Sequence, residues 1–319
     1  MSQRTVTLLG PQRHQPTVAT TLESLGIAGR IATITAGWQE RELEDQELHE
    51  HLAGDTVNLK LWTRSEAIFR DDPAFTAAHR KRQETMREMR ELYNMRLAHA
   101  KAAAYALLAK TGTSAPLEAE RLDAVETVRD LDAHHLQQIR QLRLAFDAQW
   151  HPVGRPELVE AREALREILA GCAAVAIAGG HVAVLLNRLL LFGLADLIAD
   201  KPVLAWSAGA MVICERIVLF HDNPPWGPGN AEVLDLGLGL VRGVVPLPHA
   251  KRRLRLSDPQ RVWMFARRFA PDVCLPLDDN GRADLREGLL VGPPTAPRLT
   301  IDGRVTFADG RAIAPEVAA

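Results

Sequence analysis

Short apolar runs alternate with helix-like segments along the first part of the chain. Strand-like runs cover residues 5 to 10, 30 to 37 and 56 to 62, and a helical pattern over residues 16 to 26 ends at Gly26. A second helical stretch separates the last two strands. Strands that alternate with helices indicate a parallel sheet covered on both faces. We therefore expect an α/β fold with a mostly parallel sheet and helices on both of its faces.

The strand pattern stops between residues 73 and 150. Residues 74 to 110 are rich in helix formers, residues 111 to 116 are turn-like, and a second helical run follows. Its apolar positions recur at steps of three and four, which places them on one helical stripe: Leu122, Val125, Val128, Leu131, His135, Ile139, Leu142 and Phe146. The pattern predicts a long antiparallel helical hairpin, inserted into an α/β domain made of residues 1–72 and 151–319.

Alternation resumes after the insertion. Helices are expected over residues 156 to 171, 181 to 200, 208 to 218 and 258 to 270. Strands are expected over residues 172 to 180, 202 to 206, 272 to 278, 283 to 292 and 298 to 307. We expect the last two strands to form an antiparallel edge with a turn at Asp302-Gly303.

Composition excludes several classes of protein. The chain has 319 residues, 47% of them apolar, and a formal net charge of −2, so no bulk charge favours nucleic acid or anionic lipid. Its three cysteines (Cys172, Cys214 and Cys274) lie far apart in apolar settings, and no Cys/His cluster predicts a metal site. No signal-peptide pattern is expected at the N-terminus, and the longest apolar stretch is interrupted by charged residues. We expect a cytoplasmic protein without a metal or other cofactor.

One serine stands at a predicted bend between a strand and a helix. The segment "PVLAWSAGAMV" ends an apolar strand in Trp206 and follows Ser207 with Ala208, Gly209 and Ala210. A sharp strand–turn–helix bend exposes a nucleophile and aims backbone N–H groups at a developing oxyanion. The pattern departs from G-x-S-x-G because Ala205 replaces the first glycine. Serine is also a common helix N-cap, so the bend alone leaves both interpretations open.

A serine nucleophile needs a base, and four of the eleven histidines are candidates. His14 follows the first strand, His181 follows Gly-Gly, His221 precedes Asp222, and His249 ends an apolar strand-like run. A strand end is a favourable position for a base, although a loop histidine fits the spacing of His249 equally well.

Taken together, these segments resemble a known family. "AGGH", "WSAGA", "GLGLVRGVVPLPH", "KRRLRL" and "VCLPLDDNGRADL" are similar to the cyanophycinase and aspartyl dipeptidase (dipeptidase E) group of serine peptidases over roughly residues 157 to 295. The resemblance implies a class I glutamine-amidotransferase-like fold with serine at the elbow where glutaminases have cysteine. The hairpin lies outside it.

The resemblance also implies roles for individual residues. Ser207 would be the nucleophile, His249 its base, and Gly180 and Ala208 the donors of an oxyanion hole. Asp222 would complete the triad, with Glu232 as the rival acid.

Two departures from the family pattern affect the pocket. The Gly-Gly-Asn of the family is Gly-Gly-His here, at His181, and the aromatic residue that often follows the base is Ala250. We expect substrate contacts from His181, Trp206 and a basic segment that can bind a carboxylate bidentately: Arg252, Arg253 and Arg255.

Two functions of different classes follow. The first is a serine hydrolase that cleaves an amide bond in a small or acidic peptide. The alternative is a catalytically inactive relative that binds or assembles through the hairpin. A glutamine amidotransferase is disfavoured because Ser207 stands where cysteine is required, and a lipase-type hydrolase because no histidine follows His249.

The hairpin itself suggests a partner. Tyr105, Leu107, Leu108 and Leu136 fall partly outside one stripe, so we expect a homodimer interface there. The hairpin could also lean over the sheet edge and restrict access to short substrates.

Overall fold

The computed structural model describes residues 4–52, 55–222, 231–292, 294–307 and 309–312. Its strands are β1 (Thr5–Leu9), β2 (Ile31–Ile34), β3 (Thr56–Asn58), β4 (Ala174–Ile177), β5 (Val203–Trp206), β6 (Arg216–Leu219), β7 (Glu232–Leu236), β8 (Val244–Pro248), β9 (Val273–Leu277), β10 (Arg282–Arg286), β11 (Leu289–Leu290), β12 (Arg298–Leu299) and β13 (Val305–Thr306). Its α-helices are α1 (Val18–Ser24), α2 (Gln46–His51), α3 (Leu61–Asp71), α4 (Pro73–Ala109), α5 (Ala115–Trp150), α6 (Pro156–Ala170), α7 (Val182–Leu191), α8 (Leu194–Leu197), α9 (Ala208–Val212), α10 (Ala250–Arg253) and α11 (Pro259–Phe269).

A seven-stranded sheet forms the centre of the molecule. Its order is β11-β10-β1-β5-β4-β2-β3, in which β1, β5, β4, β2 and β3 are parallel and β10 and β11 form an antiparallel edge. The inner strands β4 and β5 are apolar and buried along their whole length, as strands covered on both faces must be. The mixed α/β architecture with a mostly parallel sheet is therefore confirmed.

Two long helices form the predicted hairpin. Each begins with a capping side chain and has a proline among its first two residues. The carboxylate of Asp72 accepts from Phe75 N at 2.9 Å, and the hydroxyl of Ser114 accepts from Leu117 N at 3.4 Å. An Arg155–Asp72 ion pair joins the two ends of the hairpin at its base.

The hairpin packs against the rest of the chain as well as on itself. Tyr93, Leu97, Val128 and Leu131 share a buried cluster with residues of β6, β7, β8 and α11. A second buried set, Phe75 and Phe146, joins the main core under the sheet.

A buried polar network fixes this docking. Arg268 of α11 donates two hydrogen bonds to the carboxylate of Asp132, both at 2.7 Å, and a third to Ala231 O at 2.8 Å. Tyr93 donates its hydroxyl proton to Asp132 at 2.7 Å and accepts from Val233 N at 3.1 Å. Burial and the Asp132 charge raise the pKa of Tyr93, so its hydroxyl remains a donor.

The apolar residues that suggested a dimer are largely used within the chain. Tyr105 and Leu108 pack against one buried cluster and Leu136 against another. The large apolar side chains that α4 does expose are Leu92 (56%) and Met95 (63%). The second hairpin helix, α5, exposes Leu122 (47%) and Leu144 (63%). These four positions are the exposed large apolar side chains that the hairpin offers to a second copy among the described residues.

The helix expected over residues 181 to 200 is divided into α7 and α8 at Gly193, which has φ 56°. The strands differ from the sequence prediction in three places. The strand expected over residues 56 to 62 ends at Asn58, because Lys60 has φ 53° and α3 starts at Leu61. The carboxylate of Glu42 accepts from the N–H groups of Trp62 and Thr63, both at 2.8 Å, and so caps this helix from a distant segment.

The second difference follows the serine. The helix expected over residues 208 to 218 ends at Val212, and β6 forms instead, because β7 supplies an antiparallel partner.

The third difference concerns the two strands expected over residues 283 to 292 and 298 to 307, which do not pair with each other. β10 pairs with β1 and β11, while β12 and β13 form their own hairpin around the turn at Asp302-Gly303.

All three cysteines are buried and free. In the part of the chain that the structure describes, no helix is long and apolar enough to cross a membrane.

Candidate active site

Three turns meet at the carboxyl edge of the central sheet. Gly37 follows β2, Gly179 and Gly180 follow β4, and Ser207 follows β5. Since β2, β4 and β5 are adjacent parallel strands, these turns lie side by side. Ligands of open α/β sheets bind at this edge.

Ser207 has a backbone conformation that residues with a side chain rarely adopt. Its φ is 52° and its ψ is −125°, between the end of β5 and the first residue of α9. Such a conformation costs on the order of 1–3 kcal/mol and persists only where the surroundings impose it. A strained turn between a strand and a helix is the local geometry that a nucleophile elbow requires.

Glycines make room for this turn. A Cβ on Gly209 would lie 2.2 Å from Ile177 O, and one on Gly179 would lie 2.7 Å from the Cβ of Ser207. Both distances are too short for any side chain, so the elbow packs directly against the turn that follows β4. The small residues around Ser207 are therefore required by its close contact with the neighbouring strand.

Two backbone N–H groups border the serine. Gly180 is exposed and has φ +114°, and a Cβ on it would lie 2.4 Å from Gly37 O. The next residue, His181, donates its N–H to Gly37 O at 2.7 Å, which fixes the turn. Neither the N–H of Gly180 nor that of Ala208 donates to a carbonyl oxygen among the described residues. Both are therefore available to an oxyanion.

His249 stands at the carboxyl end of a different parallel pair, β8 and β9. It follows β8, and its N–H donates to Leu277 O, at the end of the parallel partner β9, at 3.1 Å. The turn after β9 in turn contacts the end of β1, where Gly10 N donates to Gly281 O at 2.8 Å. Since β1 pairs with β5, these contacts link the turn that carries His249 through β9 and β1 to the strand that Ser207 follows.

The surroundings of His249 favour its neutral form. Burial lowers the pKa of this half-buried histidine, Arg253 and Arg252 lower it further, and Asp279 opposes them. A neutral imidazole at neutral pH is the form that can accept a proton.

The two acids expected from the sequence are engaged elsewhere. The carboxylate of Asp222 forms an ion pair with Arg261 at 2.5 Å and accepts from Arg255 N at 2.7 Å. Glu232 binds Arg90 and Asn94 of the hairpin. Neither forms a hydrogen bond with His249 in the described structure, and the carboxylate whose charge acts on His249 is that of Asp279.

Ser207 and His249 do not form a hydrogen bond with each other. The hydroxyl of Ser207 has no hydrogen-bond partner among the described residues. In proteins without substrate, catalytic hydrogen bonds are often long and tighten only in the complex.

The expected substrate contacts fall into two groups. His181 is exposed at the start of α7, and Arg252 and Arg253 flank His249 without a carboxylate partner within the described residues. By contrast, Trp206 is only 6% exposed and packs in the core, and Arg255 bonds to Asp222 through its N–H. The first group can reach a ligand.

Sequence reasoning missed two features of this edge. Gln39, in the turn after β2, has φ 60° and ψ −126°, nearly the conformation of Ser207. Asp279 comes after β9, the strand that pairs with β8, and His249 directly follows β8. The signal for Asp279 was an acidic pair directly after an apolar strand. Nothing in the sequence marks the strain at Gln39.

The described residues contain no group of three or more histidine, cysteine or acidic side chains placed to hold a metal ion.

Comparison with known proteins finds similar structures at low identity. No protein-family model and no curated protein sequence matches the chain. A peptidase from an acI-B1 Actinobacterium aligns with a TM-score of 0.48 and 13% identity, over 98% of this chain and 97% of that one. A "Putative Peptidase E Protein" from Listeria monocytogenes EGD-e aligns with a TM-score of 0.43 and 12% identity, over 94% of this chain and 100% of that one. At these values the likeness assigns no function to this chain.

Proposed function

We propose that the protein is a serine hydrolase that cleaves an amide bond in a small peptide, with Ser207 as nucleophile. The observation that carries the proposal is the strained turn at Ser207, held between glycine turns at the carboxyl edge of the sheet. An N-cap serine needs no positive φ, whereas a nucleophile elbow does.

The proposed reaction uses groups at this edge alone. The Oγ of Ser207 attacks the carbonyl carbon of the peptide while the imidazole of His249 takes its proton. The N–H groups of Gly180 and Ala208 donate to the oxyanion. The C–N bond then breaks, and His249 returns the proton to the leaving amine. Water hydrolyses the acyl-enzyme by the same steps.

The acid that orients His249 is proposed to be Asp279, in place of Asp222 and Glu232. Its charge favours the protonated imidazole, as a triad acid must. The ion pairs of Asp222 and Glu232 support structural roles for these two residues.

Arginine side chains favour a substrate with a carboxylate. Arg252 and Arg253 lie beside His249, and Arg253 is half-buried. A guanidinium that is partly removed from water binds a carboxylate more strongly than an exposed one. We propose membership of the dipeptidase E-like group, with its class I glutamine-amidotransferase-like fold, on the sequence motifs given above.

Labelling with a serine-reactive phosphonate tests the proposal before any substrate is known. The intact protein should be modified at Ser207, as mapped by peptide mass spectrometry, and Ser207→Ala should remove the label. His249→Ala should slow labelling strongly, because the base activates the hydroxyl. Ser257→Ala, at an exposed turn serine, is the matched control and should label at the normal rate. Absence of labelling at Ser207 would favour the inactive, binding relative.

A further inference from the structure

A cavity of about 320 Å³ lies between the hairpin and the start of α7. We call it the hairpin cavity. Its polar lining comes mainly from arginines of α4 and α5, which are Arg82, Arg87, Arg90 and Arg143, together with His181 and Asp235. Its volume is at the lower end of the range for small-molecule sites.

Two of the four arginines already have carboxylate partners. Arg143 pairs with Asp235 at 2.7 Å, and Arg90 pairs with Glu232. These contacts hold the guanidinium groups in place and cancel their charge. They leave two further positive charges at the cavity.

Of the two arginines that remain, Arg82 is the unusual one. Its Nε is buried without a hydrogen-bond acceptor among the described residues, and its guanidinium stacks 4.1 Å from the ring centre of Phe146. Burial lowers the pKa of Arg82 to about 10, with Arg143 lowering it and Asp147 and Asp235 raising it. A buried donor without an acceptor is costly, and such donors are commonly satisfied by a bound group.

Arg87 stands at the exposed side of the cavity and forms no ion pair within the described residues. The start of α7 adds a third favourable element, since the positive end of this ten-residue helix borders the same space. The remaining lining includes two amide side chains, Gln83 and Asn187, which hydrogen-bond to each other at 3.2 Å. The other walls are apolar, from Met86, Ile139, Ala183, Leu186, Leu190 and Leu234.

We propose that the hairpin cavity binds a small organic anion, whose carboxylate or phosphate group contacts Arg82 and Arg87 and whose apolar body packs on the walls. Arginine matches both oxyanions because its planar fork donates two parallel hydrogen bonds. Among the described residues, His181 is the only member of the candidate catalytic edge that lines the cavity, so the proposal is independent of hydrolysis.

Calorimetric titration of the intact chain at low ionic strength tests this site. The probes are glutarate for a carboxylate, phenyl phosphate for a phosphate, and glutaramide as the neutral counterpart of glutarate. We expect one of the two anions to saturate a single site and glutaramide not to bind. The better anion identifies the group that the cavity accepts.

Variants locate the site. Arg87→Gln and Arg82→Gln should each weaken binding about tenfold to a hundredfold, the loss typical of a charge-assisted hydrogen bond. Arg80→Gln removes an equal charge from an exposed position of the same helix, and should change the affinity less than about twofold. Arg87 is exposed, so its variant keeps the test valid even if Arg82→Gln unfolds.

Several results would overturn the proposal. They are no saturable binding of either anion, equal binding of glutaramide, or an equal loss in Arg80→Gln. Binding that disappears in Ser207→Ala would place the anion at the serine and would also refute the separate site. Failure of phosphonate labelling would leave the anion site intact, so the two proposals fail separately.

Discussion

Replacing Ser207 by glycine should make the protein more stable while abolishing its activity. The backbone of Ser207, at φ 52° and ψ −125°, is costly for any residue with a Cβ and accessible to glycine. Alanine keeps the Cβ and therefore keeps the strain. The difference in unfolding free energy between Ser207→Gly and Ser207→Ala measures the strain at the proposed nucleophile.

The expected magnitude is the balance of two opposing effects. Relief of the strain should contribute on the order of 1–3 kcal/mol. The greater freedom of glycine in the unfolded chain should cost about 0.5–1 kcal/mol. We expect the unfolding free energy of Ser207→Gly to exceed that of Ser207→Ala by about 1 kcal/mol. This difference raises the melting temperature by roughly 2 °C in a protein of this size.

Urea unfolding followed by circular dichroism gives this difference, with Ser257 as the control position. Ser257 lies in an exposed turn and is not among the residues with positive φ, so glycine there should be less stable than alanine. If the Ser207→Gly protein is no more stable than the Ser207→Ala protein, the turn is not strained, and the main support for a nucleophile elbow disappears.

Further predictions concern the base, the oxyanion hole and assembly. Hydrolysis should persist as the pH falls to about 6.5 and then decline as His249 is protonated, since its pKa lies below the usual value. Arg253→Gln should shift this decline to higher pH, and an unchanged pH profile would show that the charge of Arg253 does not act on the base. Gly180→Ala should lower kcat/KM about a hundredfold by displacing an oxyanion donor, whereas Gly239→Ala, which also has positive φ but no atom within 4 Å of its new Cβ, should leave kcat/KM nearly unchanged. We also propose that two copies pair across the exposed face of α4; sedimentation should then show a dimer that Met95→Glu dissociates, and an identical sedimentation coefficient for both proteins would refute this pairing.

Much of the fold is readable from local patterns in the sequence. The hairpin is the clearest case, because its caps, its prolines and its apolar spacing all specify the same helix ends. The strand β6 could not be predicted, since Glu215 and Arg216 are compatible with a continuing helix and only pairing with β7 decides against it. The early end of β3 depends in the same way on the distant Glu42.

At the candidate site, the sequence predicts the turn but not its partners. The strand before Ser207 and the small residues after it mark a bend, and the structure shows a turn there with positive φ. The role expected for Asp222 rested on its position in the chain between Ser207 and His249. The ion pair with Arg261 that engages the carboxylate of Asp222 arises from tertiary packing. Asp279 becomes a candidate only once β9 is known to pair with β8.

The buried network of Tyr93, Asp132 and Arg268 has a consequence for how the protein unfolds. It joins both hairpin helices to α11 and to the segment before β7, so separating the hairpin would expose a charged pair and the apolar cluster around it. Breaking one partner of such a pair typically costs about 3–5 kcal/mol. We therefore expect no intermediate in which the hairpin has melted and the sheet remains. Amide hydrogens near Leu97 and Val128 should exchange only through global unfolding, at the same slow rate as those of β4 and β5.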